Sequence, residues 1–318
     1  MGFSFSDLNP VNAIKALPKV ADKALDVVKD AGEAVVDEVK DEVKDLKENA
    51  SEFGIDVLAI ASRAVTRGNG TLFAGPLPAK TREELMSAAT DPANADKVVQ
   101  GDSTRNLKNK HRTNTPAEML EGLKGDYTSF EGDIRLERGV FGHGGKQAIM
   151  AHDAWGTDGM TLKDWLTIGK ASGRKLKMDF KEAAALPQAL QYAKELKIPG
   201  DRLVFNGGVG LDWASIRQDF PDSTLAINPP GDADKGVPYD DAAIEKTIEA
   251  AKQFGKPTIF PLRSDRVTPE VVAALKPYGE VAIWNAPSKH APDDVEAETR
   301  RFREMGVDGM IDLTGKAH

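Results

Sequence analysis

The stretch RLVFNGGVGLDWASIRQDFPDSTLAIN, residues 202–228, decides the fold. Two short apolar runs, Leu203-Val204-Phe205 and Leu225-Ala226-Ile227, flank a mixed stretch long enough for a short helix. Neither run alternates apolar with polar residues. Unbroken runs of this length read as parallel strands that helices cover. Val281-Ala282-Ile283 repeats the pattern further on. Working outward, the same rhythm predicts strands over residues 106–112, 128–136, 175–180, 202–206, 224–228, 258–262, 280–284 and 307–312. Helix start signals lie between them. Thr115-Pro116 and Thr268-Pro269-Glu270 place a capping residue before a proline at the first helical position, and Asp293 or Asp294 can cap the helix running to Met305. Eight strand–helix units in about 210 residues predict an α/β fold, a (β/α)8 TIM-type barrel. The competing topology is a doubly wound open sheet. It expects a glycine-rich phosphate fingerprint after the first strand, and this chain has none there.

The N-terminal part is built differently. Leu17, Ala21, Ala24, Val28, Ala31, Val35, Val39, Val43 and Leu46 recur at spacings of three and four, with Lys, Asp and Glu between them. This predicts an N-terminal α-helical extension whose thin Ala/Val stripe packs on the barrel or mediates self-association. Gly68, Gly70, Gly75, Pro76 and Pro78, then Asp91, Pro92 and Asn94, punctuate the next stretch of chain. The expected division is a helical segment over 1–65, a linker with short helices (residues 81–89 among them) over 66–103, and the barrel over 104–318.

Composition removes several functions. The formal net charge is -8, which argues against coating nucleic acid, since phosphate neutralisation needs a basic surface. A small phosphorylated ligand held by a few local cations stays open. With no cysteine, disulfides, thiolate zinc sites and cysteine nucleophiles are excluded. Residues 1–10 lack the basic and apolar regions of a signal peptide, and the early apolar run 55–64 is broken by Asp56, Ser62 and Arg63. The expectation is a cytoplasmic protein without a transmembrane segment, with non-classical export as the alternative and peripheral membrane contact left open.

In such barrels the active residues sit at the C-terminal ends of the strands. Those ends carry His111-Arg112, Glu131-Gly132-Asp133, Asp179-Phe180-Lys181, Asn206, Asn228, Arg263 and Trp284-Asn285; an added hairpin after the second strand ends in Ala151-His152-Asp153. Glu131 and Asp133 are two apart on a strand, so both emerge on one face. Paired carboxylates repel unless a cation or proton joins them. Asp179 from the next strand can complete an oxygen site suited to Mg²⁺ or Ca²⁺. Of five histidines, His318 is terminal, His143 lies in a glycine-rich turn and His290 follows a loop. His111 and His152 alone stand at strand ends beside the acids. Two histidines on one carboxylate–metal site make an acid–base pair, one taking a proton from the nucleophile and the other protonating the leaving oxygen. The lesser signals read as structure: Gly207-Gly208-Val209-Gly210 and Pro229-Pro230-Gly231 as turns, Arg300-Arg301 and Arg303 as a solvated helix face.

Together His111-Arg112-Thr113-Asn114-Thr115, Phe130-Glu131-Gly132-Asp133-Ile134, Ala151-His152-Asp153, Thr161-Leu162 with Trp165, and Lys177-Met178-Asp179-Phe180-Lys181 resemble the glycerophosphodiester phosphodiesterase superfamily. The likeness covers roughly residues 105 to 313. The branch most resembled is the menorin-like family, which is related to sphingomyelinase D type enzymes. By that resemblance His111 and His152 are the catalytic histidines, Glu131, Asp133 and Asp179 the metal ligands, and Arg112 and Lys181 the phosphate-binding cations. Asn206, Asn228, Arg263 and Trp284 line the pocket. Thr113 stands where the family motif has glycine, which leaves pocket shape and substrate open.

The expected function is a metal-dependent phosphodiesterase acting on a glycerophosphodiester or lysophospholipid, by hydrolysis or through a cyclic phosphate. The cofactor is one divalent cation, Mg²⁺ or Ca²⁺. The alternatives are a catalytically inactive barrel serving as a binding module and a delivered effector that attacks lipids.

Overall fold

A computed structural model describes residues 76–98, 103–137, 147–152, 159–231, 236–285 and 291–315. The expected helix over residues 11–50, and His143, Asp153, His290 and His318, lie outside the described residues.

Among the described residues nine strands run in chain order: β1 (Asn109–Lys110), β2 (Ser129–Leu136), β3 (Ala148–Met150), β4 (Lys175–Phe180), β5 (Leu203–Gly208), β6 (Thr224–Asn228), β7 (Thr258–Arg263), β8 (Glu280–Trp284) and β9 (Ile311–Asp312). Eight form one parallel run in the order β1-β2-β4-β5-β6-β7-β8-β9, while β3 pairs antiparallel with β2 as the expected added hairpin. Helices α1 (Ala79–Ala89), α2 (Pro116–Lys124), α3 (Leu162–Ala171), α4 (Leu186–Glu195), α5 (Trp213–Asp219), α6 (Asp241–Phe254), α7 (Pro269–Leu275) and α8 (Val295–Glu304) complete the alternation. The caps expected from the sequence are in place. Thr115 accepts from the Glu118 amide in a capping box, Thr268 from Val271 and Asp294 from Ala297.

This sheet is a nearly closed (β/α)8 barrel. Among the described residues no ladder joins β9 back to β1. Side chains bridge the seam instead: Asn109 Nδ2 donates to Asp312 Oδ2 at 2.8 Å, and Thr104 Oγ1 donates to Glu280 at 2.7 Å.

Alternation along each strand sorts residues between two faces. Phe130, Ile134, Met178, Phe180, Leu203, Phe205, Leu225, Ile227, Phe260, Leu262, Val281 and Ile283 join the main core between sheet and helices, along with Trp165 and Trp213. Each such side chain contributes about 1.5–3 kcal/mol when fully buried. The other face holds a small separate apolar cluster, Val204, Ala226 and Ile259. Registration places Asp133 beside Asp179, Asp179 beside Asn206, and Asn206 beside Ala226, so the polar strand ends share the inner face with this cluster.

The expected linker contains α1, which is no mere connection. Its Leu85 and Ala89 are buried in the main core, and Asp164 on α3 accepts from the Leu77 amide and from Arg82. The compact unit accordingly includes α1. The outer strands are shorter than expected. Arg112 turns into the left-handed region at φ 53° and ends β1, and Gly309 precedes β9 with its amide on the Val281 carbonyl. The expected solvated face of α8 is present: Arg300 pairs with Glu296 and Arg301 with Glu298, while Arg303 donates to the Val307 and Gly309 carbonyls.

Candidate active site

His111 leaves β1 between two carboxylates. Its Nδ1 lies 2.9 Å from Asp312 Oδ2 and its Nε2 lies 3.3 Å from Glu131 Oε2. Asn109 donates to both acids, at 2.6 Å to Glu131 and 2.8 Å to Asp312. Lys177 Nζ sits 3.1 Å from Glu131 Oε2. Burial disfavours charge on His111, but Glu131 and Asp312 outweigh it and hold its pKa above the usual imidazole value. Burial likewise opposes ionisation of Asp312, yet the bond from His111 keeps its carboxyl below the usual range.

The second cluster is one register step higher. Asp133 and Asp179 are paired across β2 and β4, and Lys181 spans them, 3.0 Å from Asp133 Oδ1 and 2.6 Å from Asp179 Oδ2. Burial works against the Lys181 charge, but the two acids prevail and raise its pKa. Asn114 reads Asp133 twice, donating to Oδ2 at 2.8 Å and accepting from its amide at 2.8 Å. Asn206 Nδ2 donates to Asp179 Oδ1 at 2.6 Å.

His152 comes just after β3. The Ala151 amide donates to the Asp133 carbonyl at 2.8 Å, which ties this segment to β2. Arg112 Nη2 lies 3.1 Å from His152 Nε2, and Arg135 Nε donates to the His152 carbonyl at 3.0 Å. The two histidines therefore stand on one side of the barrel mouth, joined by the residue next to the first. Of the expected pocket residues, Asn206 touches the acids. Trp284 pairs in register with Asp312 at the seam. Asn228 ends β6 opposite Gly208. Arg263 ends β7 beside Trp284, and its Nε donates to Asp265 Oδ1 at 2.6 Å.

Among the described residues the tightest group of metal-ligating types is His111, Glu131 and Asp312, one ligand atom from each lying within 4.8 Å of the others. It shares Glu131 with the expected set. Asp133 and Asp179 meet at Lys181. Four carboxylates, Glu131, Asp133, Asp179 and Asp312, thus face two ammonium groups, Lys177 and Lys181. The carboxylates outnumber the ammonium groups, so the cluster keeps excess negative charge of the kind a divalent cation would offset. Two amide oxygens beside these acids, Asn109 Oδ1 and Asn206 Oδ1, are buried without a hydrogen-bond partner. Orphaned oxygens near carboxylates are the donors that hard cations take, so the residues fit such an ion.

Sequence reasoning misses Asp312, Asn109, Asn114 and Lys177. Asp312 carries a signal, since it closes a predicted strand. Lys177 points the same way as Asp179 by spacing alone. Nothing local marks Asn109, and Asn114 is visible only as part of the motif run; their partners lie on other strands.

Residues 104–203 match the Menorin N-terminal domain. The matched segment contains His111, Arg112, Glu131, Asp133, His152, Asp179 and Lys181, whereas Asn206, Asn228, Arg263, Trp284 and Asp312 lie beyond it. The human protein FAM151B is 25% identical over 175 residues, 48% of this chain and 61% of that protein, so the chain spans less than two thirds of that relative. Among solved structures, a glycerophosphoryl diester phosphodiesterase from Parabacteroides distasonis aligns at a TM-score of 0.44 and 15% identity, over 76% of this chain and 90% of that one. SacUVDE aligns at 0.33 and 12%, over 76% and 88%. The barrel assignment rests on the strand order. No helix among the described residues is long and apolar enough to cross a membrane.

Proposed function

We propose that this chain is a metal-dependent phosphodiesterase acting on a glycerophosphodiester or lysophospholipid. The observation that supports it is the meeting of His111, Arg112 and His152 with four carboxylates at one mouth of the barrel. Glu131, Asp133 and Asp179 would hold one divalent cation, Mg²⁺ or Ca²⁺, which when bound offsets phosphate charge. Lys181, beside two of those acids, supplies a cation to a phosphate oxygen. His111 and His152 exchange protons with the nucleophile and the leaving oxygen. Asp312, 2.9 Å from Nδ1, orients the His111 ring and turns Nε2 toward Glu131, in the way an acid orients the histidine of a triad. Either water or a neighbouring hydroxyl of the substrate serves as nucleophile.

The test is phosphorus NMR of glycerophosphocholine and lysophosphatidylcholine incubated with the full chain in Mg²⁺, Ca²⁺ or EDTA. Turnover that needs the cation and is lost in His111→Ala and His152→Ala is the expected outcome. Activity surviving in both variants removes the assigned roles.

A second reading has its own support: Lys177 and Lys181 already pair with Glu131, Asp133 and Asp179. On that reading the barrel is a binding module in which the two lysines, not a cation, occupy those acids. Calorimetry showing no heat with Mg²⁺ or Ca²⁺, and no product from either lipid, favours it.

A further inference from the structure

Thr113 does not project into the mouth. It is fully buried, and its hydroxyl donates to the Glu131 carbonyl at 2.9 Å while accepting from Trp165 Nε1 at 2.8 Å. The Thr113 amide donates to the same carbonyl at 2.7 Å. Trp165, also fully buried, reaches this point from α3 by passing β2 at Gly132. A Cβ at Gly132 would stand 3.0 Å from the Trp165 ring, so the approach requires glycine there. Beside this lock, Asn114 is held by Asp133 through two bonds, and its carbonyl accepts from the Met160 amide at 2.9 Å.

Arg112, immediately before Thr113, has φ 53°, a conformation non-glycine residues rarely adopt. Such a residue persists when its surroundings over-determine it. Here the fixed points are Thr113 and Asn114. In this conformation Arg112 Nη2 meets His152, and His111 stands two residues upstream of the lock. One short segment thus reaches both imidazoles, the first through the chain and the second through the Arg112 contact.

We infer that Trp165 and Thr113 are positioning residues that set the spacing of His111 and His152. Trp165 acts by its indole N–H, through the Thr113 hydroxyl, and neither residue touches the substrate. The catalytic part of this inference rests on the phosphodiesterase reading; the structural part does not.

The experiment uses the full chain with ¹³C,¹⁵N-labelled histidine, as wild type, Thr113→Val, Thr113→Ser and Trp165→Phe. Imidazole resonances assigned to His111 and His152 are compared by NMR, with melting temperatures measured alongside. Both imidazoles are expected to shift in Thr113→Val and Trp165→Phe and to stay at wild-type positions in Thr113→Ser, which keeps the hydroxyl. With bis(4-nitrophenyl) phosphate as probe, kcat falls roughly 10- to 100-fold in the first two variants while KM changes little, because a small misplacement of catalytic groups acts on the chemical step. Unmoved imidazoles in Trp165→Phe, or a Thr113→Ser variant as impaired as Thr113→Val, overturns the inference. If Thr113→Val does not fold, Trp165→Phe and Thr113→Ser decide it. A wild-type chain that leaves glycerophosphocholine, lysophosphatidylcholine and the probe all intact removes the phosphodiesterase reading alone, since the resonances still report the lock.

Discussion

Lys177→Met separates the charge balance of the site from its packing. Lys177 and Glu131 have side chains only 8% and 6% exposed, and their charged atoms lie 3.1 Å apart. Methionine keeps most of the volume and removes the ammonium group. Breaking a buried pair from one side costs about 3–5 kcal/mol, because the remaining charge is left uncompensated. Asn109 still donates to Glu131 Oε2 and His111 still faces it, which places the cost near the low end, about 3 kcal/mol. In a unit of this size each kcal/mol moves the melting temperature by roughly 2–4 °C, so the variant melts roughly 6–12 °C lower in EDTA. On the proposed metal-dependent reading, a divalent cation at Glu131 takes over the role of the lost ammonium. At a hundred times its dissociation constant it restores about 2.7 kcal/mol. Lysine and cation compete for one carboxylate, so the cation must raise the variant's melting temperature more than the wild type's. Differential scanning calorimetry in EDTA, MgCl₂ and CaCl₂ reads both numbers. A variant as stable as wild type in EDTA, or an equal cation effect on the two chains, refutes the reasoning.

Asp312→Asn removes one of the two carboxylates that raise the His111 pKa, so that value falls. The limb of the pH–rate profile that His111 supplies moves to lower pH, and a profile that stays in place excludes His111 as its source. Stability changes with defined signs. The raised His111 contributes at low pH and loses its contribution as pH rises through its folded value. The depressed Asp312 contributes above the usual carboxyl range and fades as pH falls through its own. Urea titrations of wild type across pH should therefore show a stability window; Asp312→Asn lowers its height, abolishes the acid limb that Asp312 supplies and moves the His111 limb to lower pH. Gly132→Ala puts a Cβ 2.2 Å from the Met150 terminal methyl and 3.0 Å from the Trp165 ring. The methyl can swing aside and the ring cannot, so the substitution costs about 1–3 kcal/mol. An unchanged denaturation midpoint counts against the packing described for α3.

Most of the barrel is legible in the sequence because parallel strands covered by helices are uninterrupted apolar runs. Residues 224–228 and 280–284 have wholly apolar centres, and their ends agree with the structure. The outer strands are not legible, because their limits are set by partners. Arg112 turns where Thr113 fastens to Glu131, a contact across 18 residues. Glu131, Asp133 and Asp179 can be placed on one face from spacing alone. That lysines stand among them cannot be weighed there, since the spacing that turns Asp179 inward turns Lys177 inward too. Thr113 shows the limit of motif reading: the motif marks it as a departure, and only the structure reveals where its hydroxyl goes.

The seam between the first and last strands gives the molecule a further property. Asn109 and Asp312 are 203 residues apart, yet they and His111 fasten the hoop where the backbone does not. The clasp and the candidate catalytic centre are thus made of the same atoms. Winding must be complete before either exists, so a chain cut short of Asp312 forfeits chemistry and closure together. Any ligand that draws Asp312 or His111 toward itself also tugs on the clasp.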